Sequence, residues 1–238
     1  MGIILAETKK ASWLKLAGVA GLLTPVSAFV FIGLSIASYR WFSWTTNALS
    51  DLGVIRGVTA TLFNFGLFLS GLLALNFSVG LFILFRDSVI GKIGAGIFVL
   101  ACLSLEGIAI FPEDMRPFHY IFSVAFFVLM PITLLAIAGY YLKTHQKRMS
   151  TFTLMVAVIA TVPWVVQFTV PYVSGVAIPE AISATAGSVW TVVLSYKMLK
   201  EASQAKITDL TYTVRESNAF SYFEMLRATT STKICEQQ

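Results

Sequence analysis

The sequence predicts an all-α membrane protein: a polytopic bundle of six transmembrane helices followed by a polar cytoplasmic tail. Three observations predict it. Hydrophobic residues make up 57% of the chain and charged residues only 12%, whereas roughly a quarter of a soluble domain is charged. The apolar residues are gathered into six runs of about 20 residues, the length at which a helix rising about 1.5 Å per residue crosses about 30 Å of hydrocarbon. Those runs are continuous rather than alternating and about twice the length of a barrel strand, which excludes an outer-membrane β-barrel.

Residues 1–12 form a short polar lead with Lys9 and Lys10. The first run extends from Trp13 to Ala37. It is longer than the roughly 7 to 15 apolar residues of a secretory signal and lacks a clear small-residue cleavage site, so it is read as a span. Five more runs follow, at about Thr59 to Phe85, Lys92 to Phe111, His119 to Leu142, Thr151 to Val170 and Ile178 to Leu199. Pro25, Pro131 and Pro163 lie inside spans, where a bilayer bundle tolerates the kink if neighbours satisfy the freed carbonyls. Small residues four apart, Ala17 with Gly21, Gly66 with Ser70 and Ala184 with Ser188, predict close helix contacts. The spans form one domain, residues 13–200.

Six spans place both termini on one side. Lys9, Lys10, Lys15, Arg86, Lys92, Lys143, Lys147, Arg148, Lys197, Lys200 and Lys206 fall on that side, with Arg40, Arg56 and Arg116 on the other. The positive-inside rule then predicts a multi-pass protein of the cell membrane with cytoplasmic termini. The acids are placed the other way: Asp51, Glu106, Glu113, Asp114 and Glu180 lie towards the outer face, and Asp87 alone in an inner loop. The net charge of +5 is thereby explained by topology, not by nucleic-acid binding. Cys102 sits in a span and Cys235 in the tail, so neither a disulfide nor a cysteine metal site is expected. The tail, residues 201–238, is expected to be loosely ordered; Phe220, Phe223 and Leu226 at helical spacing offer an amphipathic helix as the alternative.

The polar residues between and within the outer ends of the spans are the candidate site. Tyr39, Trp41, Phe42 and Trp44 mark the headgroup boundary. The insert Asn47-Ala48-Leu49-Ser50-Asp51-Leu52-Gly53 follows. Thr46 is positioned to cap a short helical turn and Gly53 to end it in a left-handed conformation. On such a turn Asn47, Ser50 and Asp51 share a face. Asn64 enters the second span about a turn from its outer end, and Glu106 lies inside the third. An ionisable group at that depth is costly and faces the bundle interior or a wet cavity.

The outer loop from Phe111 to His119 brings Glu113, Asp114 and Arg116. Arg116 pairs with one of the acids in this reading, a contact worth little when exposed. His119 is either a proton shuttle or metal ligand, or a hydrogen-bonding boundary residue. Gln167 either lines the site or bridges helices. Glu180 either contributes a carboxylate or offsets the dipole at the start of the sixth helix. Convergence of these groups near one level predicts an outward-facing polar pocket that binds or modifies a lipid or lipid-linked head group.

If the pocket is catalytic, Asp51 or Glu106 acts as base and His119 as acid. The same three residues are the best candidates for a hard or borderline cation, although one histidine is few for zinc, and no metal site is assigned. No nucleophile elbow, Walker loop, haem-attachment motif or HExxH occurs, and the sequence names no cofactor. Beyond the lipid bilayer, membrane-protein partner subunits are the expected partners if the chain is instead a non-catalytic subunit or assembly factor. A proton-coupled transporter using Glu106 is the third reading, weakened by the lack of a repeat or a polar path inward apart from Asn76.

Asn47 with Ser50-Asp51-Leu52-Gly53, Leu62-Phe63-Asn64 with Gly66 and Gly71, and Phe111-Pro112-Glu113-Asp114 with His119 resemble, in the same order, the six-span prokaryotic membrane proteins grouped as domain of unknown function 998. The likeness covers about Trp13 to Lys200 and leaves out the tail. It implies a six-helix fold and carries no activity with it. Membrane hydrolases of the alkaline ceramidase type are a more distant likeness. They bind zinc through histidines and an aspartate in seven spans. This chain has one span fewer and His119 alone on the relevant side, so the zinc site does not carry over.

Overall fold

A computed structural model describes the backbone of residues 2–235 and the side chains of residues 8–207. Six helices account for most of it: α1 (Gly2–Ser38), α2 (Val58–Leu84), α3 (Val89–Ile110), α4 (Phe118–Lys143), α5 (Lys147–Thr169) and α6 (Ala177–Cys235). A short 3-10 helix, Ser50–Val54, interrupts the α1–α2 connection. No strand occurs among the described residues. All six helices contain a segment long and apolar enough to cross a membrane. The end bearing the α1–α2, α3–α4 and α5–α6 loops is called distal below, and the opposite end proximal.

Every helix packs on its neighbours in sequence, and α6 returns to α1, so the six close into a ring. Lipid tails are as apolar as leucine, so shape and hydrogen bonding hold such a ring together more than the hydrophobic effect does. The seams are built accordingly. Gly21 of α1 lies where any Cβ would strike Phe77 and Ser195, and Gly66 of α2 lies against the Phe31 side chain. Three seams carry a serine hydroxyl that donates to a backbone carbonyl across the contact: Ser35 to Thr59 at 2.8 Å, Ser150 to Ala138 at 2.9 Å and Ser183 to Ala160 at 2.7 Å. Ala17 and Gly21 are at helix contacts, as their spacing predicts, while Ala184 and Ser188 line an internal cavity.

The proximal half of the ring is filled. Leu14, Leu81, Leu194 and Met198 are almost fully buried there, and a cluster of three rings crosses the axis. Phe77 meets Phe98 edge-on at 5.6 Å and Trp190 at 6.1 Å, and Phe98 lies 5.9 Å from Trp190. The distal half is looser and is closed from above by the α1–α2 connection, whose Leu49 and Leu52 are buried among Phe63, Leu67, Ile108 and Ala177.

Two expectations are corrected. Gly53 lies inside the 3-10 helix, which begins after Leu49 without a side-chain cap; Gly57 is the glycine with positive φ, at 95°. Thr46 therefore does not cap the turn, because the chain spends residues 43–48 in a hydrogen-bonded bend of its own. After Lys200, α6 continues as a helix to Cys235 where a loosely ordered tail is expected. The side chains of Phe220, Phe223 and Leu226 lie outside the described residues.

The α1–α2 connection is fastened to the start of α6. Gly175 donates its N–H to the Thr45 carbonyl at 2.8 Å, and the Asn47 carbonyl accepts from Val176 at 3.1 Å and Ala177 at 2.9 Å. At that crossing a Cβ on Gly175 would collide with backbone atoms of Thr46 and Asn47, which cannot rotate aside as a side chain can. We expect Gly175→Ala to cost about 1–3 kcal/mol. It should lower the thermal midpoint of the purified protein in mild detergent, while Gly139→Ala, at an unobstructed position inside α4, should hold or raise it.

Candidate functional site

Asn47 organises the distal end. Its side-chain oxygen accepts from the Ser43 N–H at 2.9 Å, its amide nitrogen donates to Asp51 Oδ2 at 2.7 Å, and its carbonyl receives the two N–H groups at the start of α6. Asp51 Oδ2 also accepts the Ala48 N–H at 2.9 Å. Leu49, held between these bonds, donates its own N–H to Glu180 Oε2 at 2.6 Å. Helix N-termini leave their first N–H groups without intrahelical partners, and a backbone carbonyl from the insert satisfies them here.

The α3–α4 loop approaches the same insert from the other side. The Ser50 hydroxyl donates to Glu113 Oε2 at 3.4 Å, and Arg116 donates to Glu113 Oε1 at 3.3 Å. Burial pushes the Glu113 carboxyl above the ordinary carboxylate range. A hydrogen bond with Asp51 and its charge push the same way, and Arg116 and His119 act against them. The charges of Glu113 and Asp51 also reach Glu180. The insert therefore brings Asn47, Ser50, Asp51, Glu113 and Glu180 into one cluster.

The remaining candidates are placed elsewhere. His119 is buried, with Nδ1 2.8 Å from the Phe111 carbonyl, the hydrogen-bonding boundary role. Asn64 donates to the Gly53 carbonyl at 3.0 Å and holds the insert down on α2. Gln167 donates to the carbonyls of Val173 at 2.8 Å and Gly175 at 3.3 Å, bracing the α5–α6 loop rather than bridging to another span. Asp114 is exposed. Glu106 is buried against the bare backbone of Gly71, and neither of its carboxyl oxygens has a hydrogen-bond partner. Glu106 thus stands apart from Asp51 and His119, which both act on Glu113. Among the described residues no three His, Cys, Asp or Glu side chains are grouped so as to hold a metal ion.

Beneath the insert the ring holds a partly open cavity of about 150 Å³ to which all six helices contribute. Leu49 and Ser50 form its roof, Glu180 its distal wall, and Phe98 its floor above Phe77 and Trp190. From Glu180 to Thr191, the deepest lining residue of α6, the helix rises about 16 Å, roughly half the hydrocarbon thickness. Most of the lining is apolar, with Phe63, Leu67, Leu105, Phe126, Phe127 and Leu134 prominent. The recess is therefore not the convergence of polar groups that the sequence predicts: Ser50 and Glu180 face it, whereas Asn47, Asp51, Asn64, Glu106, His119 and Gln167 do not line it.

Sequence reasoning missed the wall hydroxyls of Thr24, Ser70, Ser183 and Thr191. The signal was present for the first, since Thr24 precedes the kinking Pro25, and both Pro25 and Pro131 line the cavity. A proline inside a helix leaves a carbonyl without its intrahelical partner, and two such prolines flank the space.

Fold and site together define a six-helix integral membrane bundle with a roofed internal cavity. The chain matches the family described as Protein of unknown function (DUF998) over residues 10–197 and belongs to it. No curated protein and no solved structure matches the chain.

The environment of Glu113 sets a pH dependence. Its folded-state pKa is raised, so the fold favours the protonated carboxyl. The stability this confers is complete below the unfolded-state pKa and is lost as pH rises through the folded one. Glu113→Gln keeps the shape and removes the charge. It should melt above the wild type at neutral and alkaline pH, with the difference closing in acid; a difference that widens in acid would refute this account of the Asp51–Glu113 contact.

Proposed function

We propose that this protein binds the apolar part of a small amphiphile or lipid-derived molecule in the cavity beneath the Asn47–Gly53 insert, with the ligand's polar end at Ser50 and Glu180. The observation that carries the reading is the cavity itself: an apolar space inside a membrane bundle, roofed by a hydrogen-bonded loop and bearing one carboxylate at its distal end. Ligand sites combine a mostly apolar lining with a few placed polar groups. Lipid and lipid-linked head groups remain the class of molecule most readily supplied to such a site from the bilayer.

None of Asp51, Glu106 and His119 lines the cavity, which favours binding over acid–base catalysis there, since a base and an acid must both reach one substrate. Native mass spectrometry of protein extracted from membranes should show a retained small molecule. Ser188→Phe, which places a ring in the cavity, and the milder Ala184→Leu should release it, while Glu106→Gln, behind the α2–α3 seam, should keep it. Equal retention in the two filled variants overturns the reading.

We also propose that the protein resides in the cell membrane with the distal end outside and both termini cytoplasmic. The support is the crowding of Lys and Arg at the proximal end, set out above. On intact cells a membrane-impermeant maleimide should label Asp114→Cys and spare Thr144→Cys in a background lacking the native cysteines. The reverse pattern would invert the topology.

A further inference from the structure

We infer that the cavity selects a hydrophobic ammonium compound, an apolar ring or short chain ending in a protonated amine, with Glu180 as its counterion. This rests on the cavity being a ligand site and names the class of ligand it takes.

Glu180 is 8% exposed, and one backbone N–H, that of Leu49, is its hydrogen bond. A carboxylate can accept about four, so most of its capacity is unused. Among the described residues neither ion pair involves it, and a buried carboxylate without a cation is costly. The nearest charged groups deepen the negative potential: Asp51 and Glu113 both act on Glu180, and Arg116, on the far side of Glu113, is already engaged there. The N-terminus of α6 works in the opposite sense, and the Asn47 carbonyl accepts the N–H groups of Val176 and Ala177 there.

The rest of the polar lining points to the same chemistry. Thr24 donates its hydroxyl proton to the Ala20 carbonyl, Ser70 to Gly66, Ser183 to Ala160 and Thr191 to Gly187. Ser50 donates to Glu113. These hydroxyls have spent their donors and offer lone pairs to the cavity. Ser123 and Ser188 carry the other lining hydroxyls. A wall with one carboxylate and mostly accepting hydroxyls complements a ligand rich in N–H donors, and it repels a carboxylate or sulfate. The volume of about 150 Å³ is that of a cavity able to take an aromatic ring.

The test uses three near-isosteric probes, 2-phenylethylammonium, 2-phenylethanol and 3-phenylpropanoate, binding to the full chain in phosphatidylcholine nanodiscs, with empty nanodiscs as the blank. The ammonium should bind at least about tenfold tighter than the alcohol, the margin between a charge-assisted and a neutral hydrogen bond, and the carboxylate weakest. Glu180→Gln keeps an oxygen for the Leu49 N–H and should erase the preference; the wild-type series decides the matter even if that variant does not fold. Equal binding of all three probes overturns the ammonium selectivity and leaves the cavity reading standing. Binding of none overturns both.

Discussion

The distal architecture depends on one exchange of hydrogen bonds between segments about 130 residues apart. The insert gives the Asn47 carbonyl to the start of α6, and α6 gives the Glu180 carboxylate back to the Leu49 N–H. Each contact answers a need that a bilayer makes acute, since an unsatisfied backbone group near hydrocarbon costs several kcal/mol. The exchange also closes the ring, because the α1–α2 connection is tied across to the helix that returns to α1. Gly175 permits it by letting two backbones approach more closely than a side chain would allow. With the insert fastened there, Leu49 and Leu52 have a fixed place to bury, and the space below them acquires a roof.

The two halves of the bundle differ because their side chains do. Proximally, Phe77, Phe98 and Trp190 interlock across the axis. Distally, serine, threonine and alanine are interspersed among the larger apolar residues of the walls, with Pro25 and Pro131 also lining the cavity. Small residues bring helices together where they meet a neighbour's backbone, as at Gly21, and leave room where they face the axis, as at Ala184 and Ser188. The same residue types therefore make both the tightest seam and the emptiest space. Packing geometry decides which, and spacing along one chain does not reveal it.

That limit explains what was legible in the sequence. Span number, order and approximate bounds follow from run length and composition, properties each helix has by itself; the first five begin and end within a few residues of expectation, apart from α1, which starts about three turns earlier, at Gly2. Asn47 and Asp51, placed on one face by their spacing, do meet each other, because polar residues between two spans must be satisfied locally. Partners between helices were not legible. His119 Nδ1 and the Gln167 amide nitrogen are engaged with nearby loop carbonyls, and nothing in a single sequence distinguishes that from a role in a shared pocket. The backbone of α6 runs on as helix to Cys235, past the point where the composition turns polar, since helical backbone can persist without a core to bury.

Glu106 and Glu180 show what depth in the membrane does and does not imply. Both are carboxylates buried to the same degree in membrane-length helices, and the cost of placing them there is similar in kind. Glu106 meets a glycine backbone in the α2–α3 seam, where no space adjoins its oxygens. Glu180 meets a backbone N–H on one side and the cavity on the other. A buried charge becomes a recognition element only when something can reach it, so access ranks these two residues where depth alone would not. Because the insert that roofs the cavity is held by Glu180 itself, a ligand seated there touches the group that fastens the roof, and binding and closure share one carboxylate.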